Sequence, residues 1–587
     1  MKLQEDKIMH SEVKDNMRIM WNVPIPMKDG IILRGDVFLP IEEGAYPTIM
    51  NYGPYGKGQL FQEAYAGQWD VMVNDFPQIM EGTTNKYQNW EVCDPEKWVP
   101  YSYAVIRIDS RGAGWSEGVQ KTWSKQEIED YYECIEWAAA EPWSDGNIGL
   151  LGISYYAANQ WLVAAMQPPH LKAIIPWEGT SDWYREFYYH GGIRCTFVDS
   201  WIPKQYPMQH GYGERGRKNP NTGEWVAGPV TLSDEELRQN RIDTVAEAKD
   251  HPLYDEHYQE ISVDWSKVTV PFLSAANWGG AGLHSRGNFE GYLQAASKEK
   301  WLEVHGYEHW THFYTPYGVD LQKRFLDYYL KGEKNGWEKE PKVRIQVRHT
   351  GNQFVERTEE AWPLPQTVWT PYYLNGKNNR LEQALTTKEA AVSYQALSEN
   401  VTFTLPPAEK DMELTGPLAA KLFISSTTTD ADLFVTIRLF SPNDEEIGFR
   451  GAMDANSPVA QGWLRASHRK LDQEKSLPFR PYHPHTDREP LVPGEVYEVD
   501  VEIWPTSIVV PKGYRLALTI GGKDYEYEGE IKEESRKFHR YPSKGCGPFL
   551  HADPSDCPAD VFGGNVTIHT GGDQNSYLLL PVIPEKS

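Results

Sequence analysis

Gly149-Leu-Leu-Gly-Ile-Ser154-Tyr-Tyr-Ala-Ala-Asn-Gln-Trp161 joins an apolar run to a Gly-x-Ser turn and then to a stretch of helical character. An apolar strand that gives way to a helix at a serine is the arrangement of a nucleophile elbow. The tight turn exposes the hydroxyl, and the helix that follows offers its positive N-terminal end beside it. The spacing departs from Gly-x-Ser-x-Gly at its last place, where Tyr156 stands. A lone Gly-x-Ser arises often by chance, so the reading depends on its surroundings.

Working outward, residues 18–40 read as a hairpin turned by Lys28-Asp29-Gly30. Short apolar runs follow at 47–51, 103–108, 148–153, 172–176, 268–273 and 300–304, with a helix from about 126 to 140 and another ending at Gly332. This alternation predicts a mostly parallel sheet covered on both faces. The aromatic-rich stretch 183–263, with helical character at 234–248, interrupts the rhythm and reads as a cap inserted above the sheet. From about Pro341 the texture changes to short alternating strands separated by Pro, Gly and Asn turns, the pattern of an all-β sandwich of jelly-roll type. The expected division is an α/β-hydrolase core (1–182 and 264–335), a helical cap (183–263) and a jelly-roll domain (336–587).

The formal net charge of -25 argues against nucleic acid and anionic membranes as partners. No run of about 18 apolar residues marks a membrane span, and the first twenty residues lack a signal-peptide core, so a cytoplasmic protein is expected. The five cysteines are odd in number and scattered, and read as reduced thiols. A homo-oligomer is compatible with the sequence.

A serine hydroxyl needs a base, and in this fold the histidine follows the last strand. Trp301-Leu-Glu-Val-His305-Gly-Tyr-Glu-His309-Trp-Thr-His312 offers three. Their spacing would also fit metal ligation with Glu308. The preceding strand and the upstream serine already account for a histidine here, so neither metal nor organic cofactor is expected.

Several segments together carry a resemblance. They are Asn51-Tyr-Gly-Pro-Tyr55-Gly-Lys57, Asp109-Ser-Arg-Gly-Ala-Gly-Trp-Ser-Glu-Gly118, Trp143-Ser-Asp-Gly-Asn-Ile-Gly149, Gly152-Ile-Ser154-Tyr155, the Trp301 to His309 stretch and Leu491-Val-Pro-Gly-Glu-Val-Tyr497. Over nearly its whole length the chain resembles the CocE/NonD hydrolases, the group of cocaine esterase and the X-prolyl dipeptidyl peptidases. The resemblance implies Ser154 as nucleophile and His309 as general base, with His312 as the alternative base. It also implies an oxyanion hole made by the Tyr55 hydroxyl and the backbone N–H of Tyr155.

The better-known relatives carry their aspartate where this chain has Gly280, after Ser274-Ala-Ala-Asn-Trp278-Gly279. A carboxylate is still needed to orient the histidine. Glu178, just past the run Ala173-Ile-Ile-Pro-Trp177, preserves the order serine, acid, histidine and is the first choice; Asp182 is the alternative acid. Asn277 and His284 are expected to shape the pocket near the vacated position, and Asp109 and Arg111 to support structure. The expected activity is cleavage of a small-molecule ester, or amide, through an acyl-enzyme on Ser154. An X-prolyl peptidase or acyltransferase would use the same residues, and a binding protein with a vestigial hydrolase core is the alternative of another class.

Overall fold

The computed structural model describes residues 9–385, 387–531 and 544–585. Residues 1–8, part of the N-terminal stretch expected to lack a signal-peptide core, lie outside them. The chain opens with β1 (His10–Lys14), β2 (Met17–Pro26) and β3 (Ile32–Leu39), an antiparallel meander. Gly30 turns the second hairpin at φ 89°, in the left-handed region that glycine enters without strain.

The strands that follow are β4 (Tyr46–Gly53), β5 (Ala104–Asp109), β6 (Ser144–Ile153) and β7 (Leu171–Trp177). After two short strands, β8 (Tyr189–His190) and β9 (Ile193–Arg194), the sheet resumes with β10 (Phe272–Asn277), β11 (Lys300–His305), β12 (Val343–His349) and β13 (Gln353–Glu359). In space the order is β1-β2-β3-β5-β4-β6-β7-β10-β11-β12-β13. From β5 to β12 every pairing is parallel, and β13 returns antiparallel. Parallel strands are buried on both faces, which is why β5 reads Ala-Val-Ile-Arg-Ile-Asp with all six residues buried.

Helices α1 (Lys125–Ala140), α2 (Tyr155–Ala165), α3 (Phe197–Gln205), α4 (Ser285–Gln294) and α5 (Pro316–Lys331) connect or cover these strands. Ser124 caps α1 by accepting from Glu127 N, and Gly332 ends α5 in the left-handed conformation. Two sequence expectations shift. The run 268–273 becomes strand only from Phe272, because Pro271 has no N–H to give a ladder and Val268 closes a short 3-10 turn. The stretch 234–248 is two helices, Asp234–Gln239 and Thr244–Asp250, the second started afresh by Asp243, whose side chain accepts from Ala246 N.

Beyond β13 the strands among the described residues pair mostly antiparallel. Met412–Ser426 pairs with Tyr497–Val510, Asn565–Thr570 and Tyr577–Ile583, and Asp432–Phe440 pairs with Ala460–Arg465 and Arg515–Gly521. Leu414, Leu422, Ile437, Ile503 and Leu518 lie in a core of this domain, separate from that of the parallel sheet. All five cysteines are unpaired. Among the described residues no helix is long and apolar enough to cross a membrane.

Candidate active site

Parallel strands leave their carboxyl ends on one edge of the sheet, where loops supply ligands and catalytic groups. On that edge, Ser154 follows β6, Glu178 follows β7, the Asn277–His284 turn follows β10 and His309 lies beyond β11. These strands are adjacent, so residues far apart in sequence converge.

Ser154 has φ 59° and ψ -116°, a backbone conformation costly for a side-chain-bearing residue. The turn is held because Ser154 N donates to the carbonyls of Trp177 and Glu178, each at 3.1 Å. Tyr156, the departure from the elbow pattern, fits because its neighbours lack side chains. A Cβ on Gly53 would stand 2.7 Å from the Tyr156 ring, and one on Gly152 would stand 2.4 Å from Tyr156 Cβ. Tyr155 is the first residue of α2, so its N–H is among those that a helix start leaves without a partner inside the helix. The Tyr155 phenol is tied back to Glu127 at 2.6 and 2.7 Å.

Tyr55 is buried, its ring edge-on to Tyr155, Tyr156 and Trp201, and its hydroxyl meets the Ser154 side chain. Burial, with help from the Glu91 charge, raises its pKa well above the ordinary tyrosine value, so the phenol stays a donor. The loop carrying it is anchored two residues on, where Lys57 N donates to Asp109 Oδ1 at 2.7 Å. Asp109 also accepts from Trp115 N, and Arg111 pairs with Asp130 and Asp29, so this loop is structural support.

Glu178, at φ 50°, is fully buried. Its Oε2 lies 2.8 Å from His309 Nδ1, and its Oε1 takes His305 Nε2 at 2.9 Å and Asn277 Nδ2 at 3.2 Å. Burial alone would raise this carboxyl, but the His309 charge and the two imidazole hydrogen bonds bring it down to about 2. The vacated turn at Gly280 thus contributes Asn277 to the acid. Asp182 goes elsewhere, pairing with Arg185 at 2.7 Å. His312 packs edge-on to His305 and Tyr307, and burial lowers it to about 3. Glu308 pairs with Arg450 and accepts from Thr311.

The histidines are arranged in a way the sequence did not disclose. Ser154 Oγ is hydrogen-bonded to His284 Nε2 at 3.1 Å, and the His284 and His309 rings stack at 4.9 Å and 9°. Thr180 Oγ1 donates to Leu283 O at 2.7 Å, so at 3.3 Å it accepts from His284 Nδ1. That leaves the His284 Nε2 lone pair for the Ser154 proton. Burial and the nearby His309 hold His284 well below the usual histidine range, hence neutral. His309 Nε2 faces Glu91 Oε1 at 2.9 Å. Burial opposes the charge on His309, but the two carboxylates outweigh it and raise this histidine to about 10. Glu91 was missed by motif reasoning. It lies in an irregular segment, and its carbonyl accepts from Ile153 N at 3.0 Å, beside the elbow.

A cavity of about 30 Å³ opens beside Ser154, walled by Trp123, Trp183, Phe187, Phe197, Trp201 and Leu283. Four of these come from the segment inserted between β7 and β10.

An elbow serine, hydrogen-bonded to an imidazole beside a buried histidine–carboxylate pair on a parallel α/β sheet, is the site of a serine hydrolase. Residues 29–314 match the model of the X-Pro dipeptidyl-peptidase (S15 family), and residues 335–579 that of the X-Pro dipeptidyl-peptidase C-terminal non-catalytic domain. A crystal structure of a CocE/NonD family hydrolase from Staphylococcus aureus superposes with a TM-score of 0.82 at 34% identity, covering 97% of this chain and 94% of that one. The cocaine esterase of Rhodococcus sp. is 24% identical over 640 residues, 97% of this chain and all of its own length. An aminopeptidase from a marine sediment Thaumarchaeota archaeon, at 17% identity and a TM-score of 0.67 over 98% of this chain and 96% of its own, shares the fold. The chain belongs to the CocE/NonD family of hydrolases.

Proposed function

We propose that the protein hydrolyses esters with a small, uncharged, apolar acyl group, through an acyl-enzyme on Ser154. The observation that carries this is the elbow serine bonded to His284, which stacks on the buried His309–Glu178 pair, beside a cavity whose walls are mostly apolar and aromatic and hold no charged carboxylate or ammonium side chain. An amine-bearing peptide substrate would need a carboxylate in that wall, and the lining side chains supply none. In this reading residues 183–263 are a cap closing the cavity, and the C-terminal β domain is a jelly roll.

Ser154 Oγ attacks the ester carbonyl. The developing oxyanion takes the Tyr55 hydroxyl and the Tyr155 N–H, donors already in position before charge forms. For His309 to act as general base its Nε2 proton must first pass to Glu91, a transfer opposed by the carboxylates that raise His309 to about 10 and helped by the burial that raises Glu91, after which Ser154 turns from His284 to the freed nitrogen. Glu178 holds Nδ1 and stabilises the imidazolium that follows. The proton goes to the leaving alcohol, and water enters by the same route to release the acid. Tyr55→Phe should lower kcat by about a hundred-fold with KM little changed, read from steady-state kinetics.

A second reading is favoured by the 3.1 Å contact: His284 itself takes the Ser154 proton. Kinetics of His309→Ala and His284→Ala on a short-chain ester separate the two. The first reading expects about a thousand-fold or greater loss of kcat for His309→Ala and less than about thirty-fold for His284→Ala. The reverse order would make His284 the base. Covalent labelling by a serine-directed phosphonate, located by peptide mass spectrometry, should fall on Ser154, and a panel of esters and prolyl peptides should favour the esters.

A further inference from the structure

We infer that His190, Cys195 and His551 form a zinc site that staples the inserted segment to the C-terminal domain. Their ligand atoms, two ring nitrogens and a thiol sulfur, all lie within 4.8 Å of one another, and His190 and Cys195 are buried. None of the three lines the Ser154 cavity. The site is independent of the hydrolytic chemistry.

The argument turns on where the protons must be. His190 Nε2 lies 3.2 Å from the carbonyl of Glu186, which only accepts, so Nε2 carries the hydrogen and Nδ1 a lone pair. His551 Nδ1 lies 2.7 Å from Asp524 Oδ1, and the other carboxylate oxygen takes the His551 backbone N–H at 2.7 Å. His551 Nδ1 therefore carries a hydrogen, and in the neutral ring Nε2 is a lone pair too. These two lone pairs face each other across 2.9 Å. In a pocket walled by Phe434, Trp463 and Trp504, two unprotonated nitrogens at that distance repel unless a cation lies between them.

The third group decides between a proton and a metal. A shared proton has no use for a thiol, whereas two imidazoles and a cysteine are donors that zinc takes at about 2.0–2.3 Å in tetrahedral geometry. Drawing the nitrogens from 2.9 Å to the slightly wider separation a tetrahedral ion sets needs only a small opening of the pair. The outer hydrogen bonds to Glu186 O and Asp524 are the partners that metal-bound histidines characteristically keep. On binding, Cys195 loses its thiol proton to solvent and coordinates as thiolate. A cavity of about 440 Å³, lined by Asp524 and His551 among others, gives an ion a path and leaves room for a water as fourth ligand.

The local fold brings these ligands together. Gly191 and Gly192, at φ 57° and 89°, turn β8 into β9, and a Cβ on Gly191 would come within 2.0 Å of the Trp463 carbonyl. Thr196 N donates to Leu550 O at 2.7 Å, laying the Cys195 strand end beside His551.

The test uses the full-length protein. Wild type loaded with zinc and then dialysed should retain about one zinc ion per chain by plasma mass spectrometry. Cobalt loading should add a near-ultraviolet thiolate-to-metal band that Cys195→Ser removes, and zinc should raise Tm by several degrees in wild type but not in His551→Gln. Wild type that keeps no zinc at tens of micromolar would overturn the proposal without reliance on any variant. So would a cobalt spectrum unchanged by both substitutions.

Discussion

Ser154→Ala is expected to lower kcat on any ester substrate by about a million-fold, to the level left by binding and the oxyanion donors alone. The loss is large because the nucleophile and its base act as one unit: without Oγ, neither His284 nor His309 has a proton to receive. Covalent labelling by a phosphonate should vanish in parallel. Folding should be nearly untouched. The strained backbone at φ 59° is held by the two hydrogen bonds of the residue 154 amide to β7 and by the glycines around Tyr156, none of which involves the hydroxyl. The decisive measurement pairs steady-state kinetics with thermal unfolding. Retained activity at unchanged Tm would remove Ser154 from the chemistry, whereas lost activity with a collapsed Tm would show only that the elbow had been broken.

Much of the core was legible because buried parallel strands advertise themselves as unbroken apolar runs, and because the order serine, acid, histidine follows strand order on the sheet. Glu178 is legible on the same topological ground: Gly280 offers no carboxylate after β10, and the end of β7, its neighbour in the sheet, carries one. Asp182 has the right residue type, but Arg185, three residues on, takes it as an ion pair. Glu91 and the contact of His284 with Ser154 were not legible. Both depend on chain segments meeting across more than a hundred residues, and neither belongs to a periodic element whose pattern would announce it. The same holds for His190, Cys195 and His551, which reads as three unrelated residues until the inserted segment packs on the C-terminal domain.

Glu178→Gln is expected to lower kcat by about three to four orders of magnitude, whereas Asp182→Asn should cost little. The carboxylate at position 178 serves two imidazoles at once, His309 at 2.8 Å and His305 at 2.9 Å, and all three residues are buried. A glutamine keeps the shape but has one oxygen and an amide nitrogen. One of the two imidazoles then meets a donor, and His309 loses both the tautomer and the charge that stabilise its protonated form. The variant should also differ from wild type in acid. A carboxyl whose folded pKa is near 2, below its unfolded value of 4.5, contributes stability that is complete above about pH 4.5 and lost as the pH falls toward 2. Wild type should therefore lose Tm steeply over that interval, and Glu178→Gln, lacking the titrating group, should start lower at pH 6 and fall less. His309 supplies the opposite limb: raised to about 10, it contributes stability below about pH 6.5 that is lost as the pH rises through 10. Parallel Tm-against-pH curves for wild type and Glu178→Gln, together with a kcat loss of less than about tenfold, would mean that the pair is structural and that His309 is oriented by another group.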